Sequence, residues 1–246
     1  MLTVSTIVAM IGRHCQPDAF DQGRMKRTPM PQTTKTAIDL REACVVAAHA
    51  VIAQHGVEKL SLRDVARRLG VSHQAPYKHY PSRDHLLAEV MRRCFESFAL
   101  FLDATQGSVD PQCDMQSMGQ AYLQYAMEKP LEYRLMFGTP WPSTAEHPAL
   151  LRDAQHSFNV LRRAIARMRG RSAITTQDDL DALFVWSSMH GLATILQSNA
   201  MERLALSRAV LQRAVPHTLE RVGLALTHGP APAPVPAKQR ARRKPA

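Results

Sequence analysis

The stretch SLRDVARRLGVSHQAPYKHYPSRDHL, residues 61–86, decides the fold because it encodes two short helices around one glycine. Ser61 is a favourable N-cap residue, and Leu62, Val65 and Leu69 repeat at the spacing of one helix face. The first helix is therefore expected to pack this apolar face against the rest of its domain.

Gly70 follows the first helix and can adopt the left-handed conformation that ends helices, while Ser72 can cap a second helix. A helix, a turn of about four residues and another helix form the spacing of a helix-turn-helix motif. The second helix, predicted over residues 72–80, offers few apolar side chains to a core.

The polar side chains of this second helix are of the kinds that bind DNA. Glutamine pairs with adenine in the major groove, lysine and histidine meet phosphate or guanine, and a tyrosine hydroxyl bonds to phosphate. Residues 63–83 carry five Lys or Arg side chains and one Asp. The alternative is a solvated surface helix in a bundle. The residues predicted to form a DNA-binding surface are Ser61, Ser72, His73, Gln74, Ala75, Tyr77, Lys78, His79, Tyr80 and Arg83.

Pro76 conflicts with a regular helix here, since it stands at the fourth helical position if Ser72 is the cap. It removes the first intrahelical donor and biases Ala75 away from the helical conformation. The helix is expected either to start distorted or to begin nearer Pro76. The presentation of Gln74 to a base depends on which of these occurs.

The rest of the chain has helical apolar periodicity and lacks alternating β-branched runs, so the fold class is predicted to be all-α. Glycines and prolines separate the predicted helices. These helices are placed at about residues 36–54, 61–68, 72–80, 82–105, 112–128, 130–137, 149–169, 177–200 and 207–226. The predicted division is a flexible basic arm at 1–35, a DNA-binding domain at 36–96, a larger helical domain at 97–228 and a disordered Pro/Ala-rich basic tail at 229–246.

The chain of 246 residues is 45% hydrophobic and has a formal net charge of +10. This charge favours an anionic partner, either nucleic acid or an anionic membrane surface, without choosing between them. No apolar run reaches the length of about 18 residues typical of a membrane span. The four cysteines form no C-x-x-C pair and are interpreted as reduced thiols in the cytoplasm.

The N-terminal stretch MLTVSTIVAMIG has an apolar core without a basic segment before it, so it is not interpreted as a signal peptide. Met1, Met25 and Met30 are alternative starts of the natural protein, which its intact mass would distinguish.

Motifs for nucleotide binding, acyl transfer or zinc-dependent hydrolysis are missing, and the eleven histidines show no convincing pairing for a metal. No catalytic residue, cofactor or metal site is therefore predicted. An enzyme assembled from residues such as Asp153, His156 and Ser157 remains an alternative.

With these residues the sequence resembles the TetR/AcrR family of bacterial transcription regulators. The resemblance covers about residues 36–90 and rests on SLRDVARRLGVS at 61–72, YKHY at 77–80 and PSRD at 81–84. It implies that Tyr77, His79 and Arg83 touch phosphates and that base reading falls to His73, Gln74, Ala75 and Lys78. The family commonly has a lysine where Arg83 stands and an apolar residue where Pro76 stands.

The C-terminal part is similar to one branch of the family, through Trp186, His190 and Gly191 in WSSMHGLATIL and through YRLMFG at 133–138. This likeness implies a helical region that binds a small-molecule effector and forms a homodimer.

Methionines are concentrated in this part of the chain, with eight of twelve between Met91 and Met201. Thioethers suit an adaptable apolar cavity, although ordinary core packing is an alternative for each of them, and a core or interface role is an alternative for His190. The residues predicted to bind the effector are Met118, Tyr122, Tyr125, Phe137, Trp186, Met189 and His190.

The last two helices are predicted to form a four-helix dimer interface. The first is thin enough for close approach and the second has an apolar stripe with a kink at Pro216. The predicted interface residues are Ser187, Gly191, Leu211, Val215, Val222 and Leu226. Two recognition helices would then lie about 34–36 Å apart and bind a pseudo-palindromic operator.

The sequence thus predicts a cytoplasmic, homodimeric regulator that binds double-stranded DNA, does not associate with membranes, and is a repressor released by an unidentified effector. A regulator without small-molecule input, an activator, and an enzyme or ligand carrier with a vestigial helix-turn-helix remain alternatives.

Overall fold

A computed structural model describes residues 39–198 and 203–228, and within these ranges it contains eight α-helices and no strand. The all-α prediction is confirmed. The helices are α1 (Leu40–His55), α2 (Leu62–Leu69), α3 (Arg83–Asp103), α4 (Pro111–Glu128), α5 (Pro130–Phe137), α6 (Pro148–Met168), α7 (Thr176–Gln197) and α8 (Arg208–His228). Short 3₁₀ turns lie at Val57–Lys59 and Pro76–Lys78. The predicted arm at 1–35 and tail at 229–246 lie outside the described residues.

Side-chain caps explain where several helices begin. The carboxylate of Asp39 accepts the Arg41 amide at 3.0 Å at the start of α1. At α7, Thr175 and Asp178 form a reciprocal capping box, in which each side chain accepts the backbone N–H of the other residue. Helices α4, α5 and α6 each begin with proline, whose missing N–H would lack a partner there anyway.

The N-terminal domain is built by α1, α2 and the start of α3. Its core includes Ile52 from α1, Val65 from α2 and Leu86 from α3, all nearly or fully buried. Apolar residues repeat at helical spacing in each helix, so one face is buried and the opposite face is polar. This packing holds α2 and the segment after it at the surface.

One continuous helix, α3, belongs to both parts of the molecule. It packs against α1 in the N-terminal domain and has its most extensive contact with α6 in the C-terminal domain. The boundary predicted between residues 96 and 97 falls inside α3. Because α3 contacts both α1 and α6, a movement of α6 relative to α1 would also displace α3.

The predicted helix at residues 72–80 does not form as such, and this is a correction to the sequence analysis. The segment contains only the 3₁₀ turn Pro76–Lys78. The amide of Ala75 donates to Ser72 O and that of His79 to Pro76 O, three residues back in each case. Because Pro76 has no N–H to donate, the α-helical hydrogen-bond series cannot pass through this point.

Candidate DNA-binding surface and ligand cavity

The turn after α2 has the geometry expected from its sequence. Ser61 Oγ accepts the Asp64 amide at 3.1 Å and donates to the Asp64 carboxylate at 2.5 Å. The Ser61 side chain thus caps α2. At the other end Gly70 has a φ of 67°, and the Val71 amide donates back to Ala66 O at 3.1 Å. This left-handed ending reverses the chain and presents the next residues at the surface.

The segment after this turn, residues 72–79, presents most of its polar side chains to solvent. Ser72, His73, Gln74, Lys78 and His79 are all exposed. Ala75 is half-buried, Pro76 is buried and Tyr77 is 41% exposed. We call residues 72–79 the recognition segment; its buried proline anchors it while its polar groups face outward.

Tyr80 does not lie on this surface. Its side chain is only 3% exposed, and its hydroxyl donates to Arg41 O of α1 at 3.2 Å. Burial raises the pKa of Tyr80 above its usual value. The ring packs in the core of the N-terminal domain, so we remove Tyr80 from the proposed DNA contacts.

The Arg83 side chain links the start of α3 to the 3₁₀ turn at Val57–Lys59 by hydrogen bonds. Its Nη2 donates to Val57 O at 2.8 Å, its Nε to Leu60 O at 3.2 Å and its Nη1 to Asp84 at 3.0 Å. The guanidinium is half-exposed. The phosphate contact implied for Arg83 stays a prediction, to be made by a group that already holds the turn in place.

Further basic residues lie near the recognition segment: Arg63, Arg67 and Arg68 were counted in its charge but not predicted as DNA contacts, and Lys59 was not considered. Lys59 and Arg63 are exposed, as are Arg67 and Arg68 of α2. Arg67 pairs with Asp64 at 2.6 Å, and Arg68 donates to Gln54 at 2.8 Å. Their positive charge was the available signal, but the exposure of Arg63, Arg67 and Arg68 depends on which face of α2 is buried.

A cavity of about 690 Å³ lies in the C-terminal domain between α3, α4, α6, α7 and α8. Its wall is mostly aromatic, aliphatic and thioether in character. The lining residues are Phe95, Phe98, Leu102, Gln112, Met115, Gln116, Met118, Gly119, Tyr122, Phe137, Trp141, Ala154, Ser157, Phe158, Leu161, Met168, Leu183, Val185, Trp186, Met189, Leu219, Glu220, Val222, Gly223, Leu224 and Thr227.

The structure brings five of the seven predicted effector residues together at this cavity: Met118, Tyr122, Phe137, Trp186 and Met189. The remaining two, Tyr125 and His190, do not line it. Tyr125 is fully buried and donates its hydroxyl to Cys94 O at 3.3 Å, so it belongs to the core. The contribution of α3, α6 and α8 to the wall was not predicted.

His190 ends a short hydrogen-bonded chain behind the cavity wall. Its Nδ1 lies 2.6 Å from the Tyr133 hydroxyl, which lies 2.9 Å from the Tyr122 hydroxyl. Burial lowers the pKa of His190 and raises the pKa of Tyr133 to about 12. In the neutral tautomer that carries its proton on Nε2, Nδ1 accepts from Tyr133 and Tyr122 donates to Tyr133. These groups satisfy one another inside the protein.

The predicted dimer residues fall into two groups. Ser187 and Gly191 are exposed on α7, and Leu211 of α8 is half-buried. Val215, Val222 and Leu226 are instead buried inside the same chain, which corrects their assignment to the interface. They lie on the buried face of α8, the helix that packs on α4 and α7, and Val222 also lines the cavity.

A different apolar face of α7 is exposed. Leu180, Phe184 and Ile195 are each more than two-fifths exposed and share one side of the helix with Ser187 and Gly191. We call these five residues the α7 face. A contiguous exposed apolar surface of this kind is typical of an interface between proteins.

The alternative enzymatic residues do not assemble. Asp153 binds Arg92 at 2.8 Å, Ser157 donates to Ala154 O at 2.8 Å, and His156 lies 4.0 Å from Asp103. Within residues 39–198 and 203–228 no three His, Cys, Asp or Glu side chains are grouped to hold a metal ion. In the same ranges no helix has both the length and the apolarity needed to cross a membrane.

Two family models match the chain and together cover more than half of it. The model described as bacterial regulatory proteins, tetR family, matches residues 45–90, which hold α2 and the recognition segment. The model described as tetracyclin repressor-like, C-terminal domain, matches residues 115–219, which contribute much of the cavity wall.

Curated relatives match over about a third of the chain. The HTH-type transcriptional regulator Rv1816 of Mycobacterium tuberculosis is 30% identical over 91 residues, 36% of this chain and 39% of that protein. Mb1846 of Mycobacterium bovis matches to the same extent. The match spans about two-fifths of the length of these relatives.

Solved structures match over most of the chain. A protein of unknown function from Rhodococcus sp. RHA1 superposes with a TM-score of 0.63 at 23% identity, covering 80% of this chain and 98% of that one. A bacterial regulatory protein in the tetR family from Rhodococcus RHA1 has a TM-score of 0.54 at 19% identity, covering 75% and 97%. At these identities the likeness concerns the fold.

Proposed function

Because the chain belongs to the TetR family of bacterial regulatory proteins, we propose that it is a DNA-binding transcriptional regulator that represses its target genes until an effector binds. It would act on the chromosome as a homodimer in the cytoplasm.

The observation that carries the proposal is the exposed, polar and basic recognition segment that follows the Gly70 turn. Its amide, imidazole and ammonium groups can bond to base edges and phosphates, and the buried Pro76 holds the segment against the domain. Lys59, Arg63 and Arg67 add positive charge beside it. A major groove is the surface that these groups complement.

The cavity supports the second part of the proposal, release by an effector. It shares Phe95 and Phe98 with α3, the helix that begins beside the recognition segment. An effector that prefers the arrangement of α3 with lower DNA affinity shifts the protein toward that arrangement. The loss of DNA affinity is then set by the difference in effector affinity between the two arrangements. The direction of this effect, repression relieved by ligand, is the family's usual mode.

The α7 face supports the homodimer. Two copies of this face around a twofold axis would bury the exposed Leu180, Phe184 and Ile195 against one another. Gly191 and Ser187 are small enough for the helices to approach closely. The two recognition segments would then meet two half-sites of one pseudo-palindromic operator.

Selection of genomic fragments on the purified protein at about physiological salt tests the proposal. We expect the retained fragments to share a pseudo-palindrome, and Gln74→Ala to lose preference at one base position of each half-site. As a matched control, Gln155→Ala replaces an exposed glutamine of α6 and should leave selection unchanged. Retention of fragments without a common motif would refute sequence-specific regulation.

A further inference from the structure

We propose that the cavity binds an uncharged, largely apolar molecule; this names the effector class for the regulator proposed above and depends on that function. Its volume of about 690 Å³ suits a ligand of drug-like size.

Two kinds of apolar side chain make up most of the wall. Phe95, Phe98, Phe137 and Phe158 bring aromatic rings from three helices and Trp186 adds an indole. Thioethers and branched side chains complete the wall from α4, α6, α7 and α8, namely Met115, Met118, Met168, Met189, Leu219 and Val222. Rings and thioethers both gain contact energy from apolar ligands, and thioethers adapt to irregular shapes.

Charge inside the cavity is almost absent. Among the described lining residues Glu220 is the single carboxylate, and none is a lysine, arginine or histidine. The Glu220 side chain is 51% exposed and lies 3.7 Å from Arg213, so it belongs to the rim. An anionic ligand would find no counter-charge at the wall, and removing its charge from water would oppose binding. A cationic ligand could reach Glu220 only from solvent, outside the apolar interior.

The polar groups within the wall are already bonded to the protein. Ser157 Oγ donates to Ala154 O at 2.8 Å, and Trp141 Nε1 donates to Met136 O at 2.9 Å. The Tyr122 hydroxyl is held by Tyr133. The hydroxyl oxygens of Ser157 and Tyr122 can still accept a hydrogen bond from a ligand. Gln112 and Gln116, one turn apart on α4 and more open to solvent, offer both donors and acceptors. A polar but uncharged end of the ligand fits beside these two amides.

The protein carries its own reporter for this site. Its two tryptophans, Trp141 and Trp186, both line the cavity. A ligand that enters should change tryptophan emission, and it should also raise the midpoint of thermal unfolding. Both signals are measured without DNA, so they are independent of operator binding.

The probes are two matched sets at pH 7.5, each below its critical micelle concentration. One set is 1-decanol, decanoate and decylammonium, and the other is 4-butylbenzyl alcohol, 4-butylbenzoate and 4-butylbenzylammonium. We expect the neutral member of each set to bind at least about tenfold more tightly than its charged partners, because only the charged forms lose strong hydration. Equal or tighter binding of a charged partner would overturn the proposal, as would neutral members that fail to bind below about 1 mM.

Ala154→Phe places a ring in the cavity and should abolish the fluorescence response to the neutral probes. Gln155→Phe introduces the same side chain at the neighbouring, exposed position of α6 and should leave the response intact. Circular dichroism and thermal unfolding of each variant show whether it is folded. If Ala154→Phe is unfolded, Leu161→Phe provides a second block from the same wall. Unchanged binding in a folded blocked variant would place the ligand elsewhere and overturn the assignment.

Neutral probes that bind the cavity but leave operator affinity unchanged would support the ligand class while refuting ligand-controlled release. A protein that selects no operator yet binds neutral probes would refute the regulator and leave a carrier of apolar molecules. The two proposals therefore fail separately.

Discussion

Histidines 49 and 147 both lie where the N-terminal and C-terminal domains meet, in opposite electrostatic environments. His49 of α1 bonds to Glu132 of α5 at 3.1 Å, and that carboxylate raises the pKa of His49. His147, just before α6, contacts the ring of His85 at the start of α3, with ring centroids 4.6 Å apart. Burial and then the nearby His85 lower the pKa of His147. Protonation at low pH therefore strengthens the contact of His49 and weakens the contact of His147.

The pH dependence of stability should differ in sign between variants of these two histidines. The unfolded chain binds a proton more readily than His147 does in the folded protein, so the stability linked to His147 is lost as pH falls below about 6.5. The stability linked to His49 is complete below about 6.5 and is lost as pH rises through its raised folded pKa. Urea unfolding at pH 7.5 and 5.5 measures both effects.

The change in free energy of unfolding relative to wild type should be more favourable at pH 5.5 than at pH 7.5 for His147→Gln. For His49→Gln it should be less favourable at pH 5.5 than at pH 7.5. Two variants with the same trend would show that these contacts do not control the response.

Tyr77 and Tyr80 are three residues apart and are expected to respond oppositely to loss of the hydroxyl. Tyr77→Phe should weaken operator binding by about 1 kcal/mol, the usual contribution of one hydrogen bond, with stability unchanged. Tyr80→Phe should instead lower the free energy of unfolding by about 1 kcal/mol, since its hydroxyl bonds to Arg41 O inside the domain. Fluorescence anisotropy on operator DNA and urea unfolding separate the two. If Tyr80→Phe lost DNA affinity while its stability stayed unchanged, Tyr80 would have to be counted among the DNA contacts.

At the scale of elements, α7 presents a test of the dimer. A Cβ added to Gly191 would meet no atom within 4 Å in the single chain. Gly191→Leu should therefore leave the fold intact and favour the helix by about 1 kcal/mol, while the larger side chain blocks close approach of a second α7. Light scattering over a concentration series should show a weakened dimer with normal helicity.

Gly119 of α4 provides the contrasting variant. A Cβ there would lie 2.6 Å from Leu219 Cδ2, inside the chain. Gly119→Ala should therefore lower stability without a direct effect on association. A dimer of unchanged affinity in Gly191→Leu would place the interface on another face.

A charged ladder joins three elements across the molecule. Glu42 of α1 pairs with Arg93 of α3, which bonds to Glu89 at 3.0 Å, and Glu89 bonds to Arg92 at 2.9 Å. Arg92 then reaches Asp153 of α6 at 2.8 Å. The ladder connects the domain that holds the recognition segment to a helix of the cavity wall.

We expect Asp153→Asn to reduce the factor by which a cavity ligand lowers operator affinity, because it weakens the bond that ties α6 to α3. The measurement is operator affinity with and without a saturating ligand. Glu96→Gln is the matched control, since Glu96 also pairs with Arg92, at 3.1 Å, but lies on α3 itself. Equal coupling in wild type and Asp153→Asn would show that the ladder only adds stability.

At the scale of the whole molecule, the proposed homodimer predicts the spacing of the two operator half-sites. Two recognition segments related by a twofold axis should meet half-sites about 34–36 Å apart. Inserting 5 bp between the half-sites turns one of them by about half a helical turn, so it should abolish tight binding of the dimer. Competition on labelled operator measures the loss. Unchanged affinity would mean that the two segments bind independently, and the rigid dimer would be refuted.

The positions of the helices could be predicted from the sequence because their signals are local. The apolar period, the cap at Ser61 and the left-handed Gly70 act within a few residues. The breaking effect of Pro76 is equally local, although only the structure showed that it leaves a 3₁₀ turn. The all-α fold followed from such signals, whereas the second helix predicted at residues 72–80 is only a 3₁₀ turn at Pro76–Lys78.

Tertiary contacts alone decided which side of each helix is buried, exposed or at the cavity. Val222 and Leu226 were predicted to face a partner and instead pack inside the chain, while the exposed α7 face was only partly recognised. Tyr125 and Phe137 carry similar rings, yet one lies in the core and the other on the cavity wall. Sequence periodicity shows that a residue is apolar and which neighbours share its face, but its surroundings depend on helices far away along the chain.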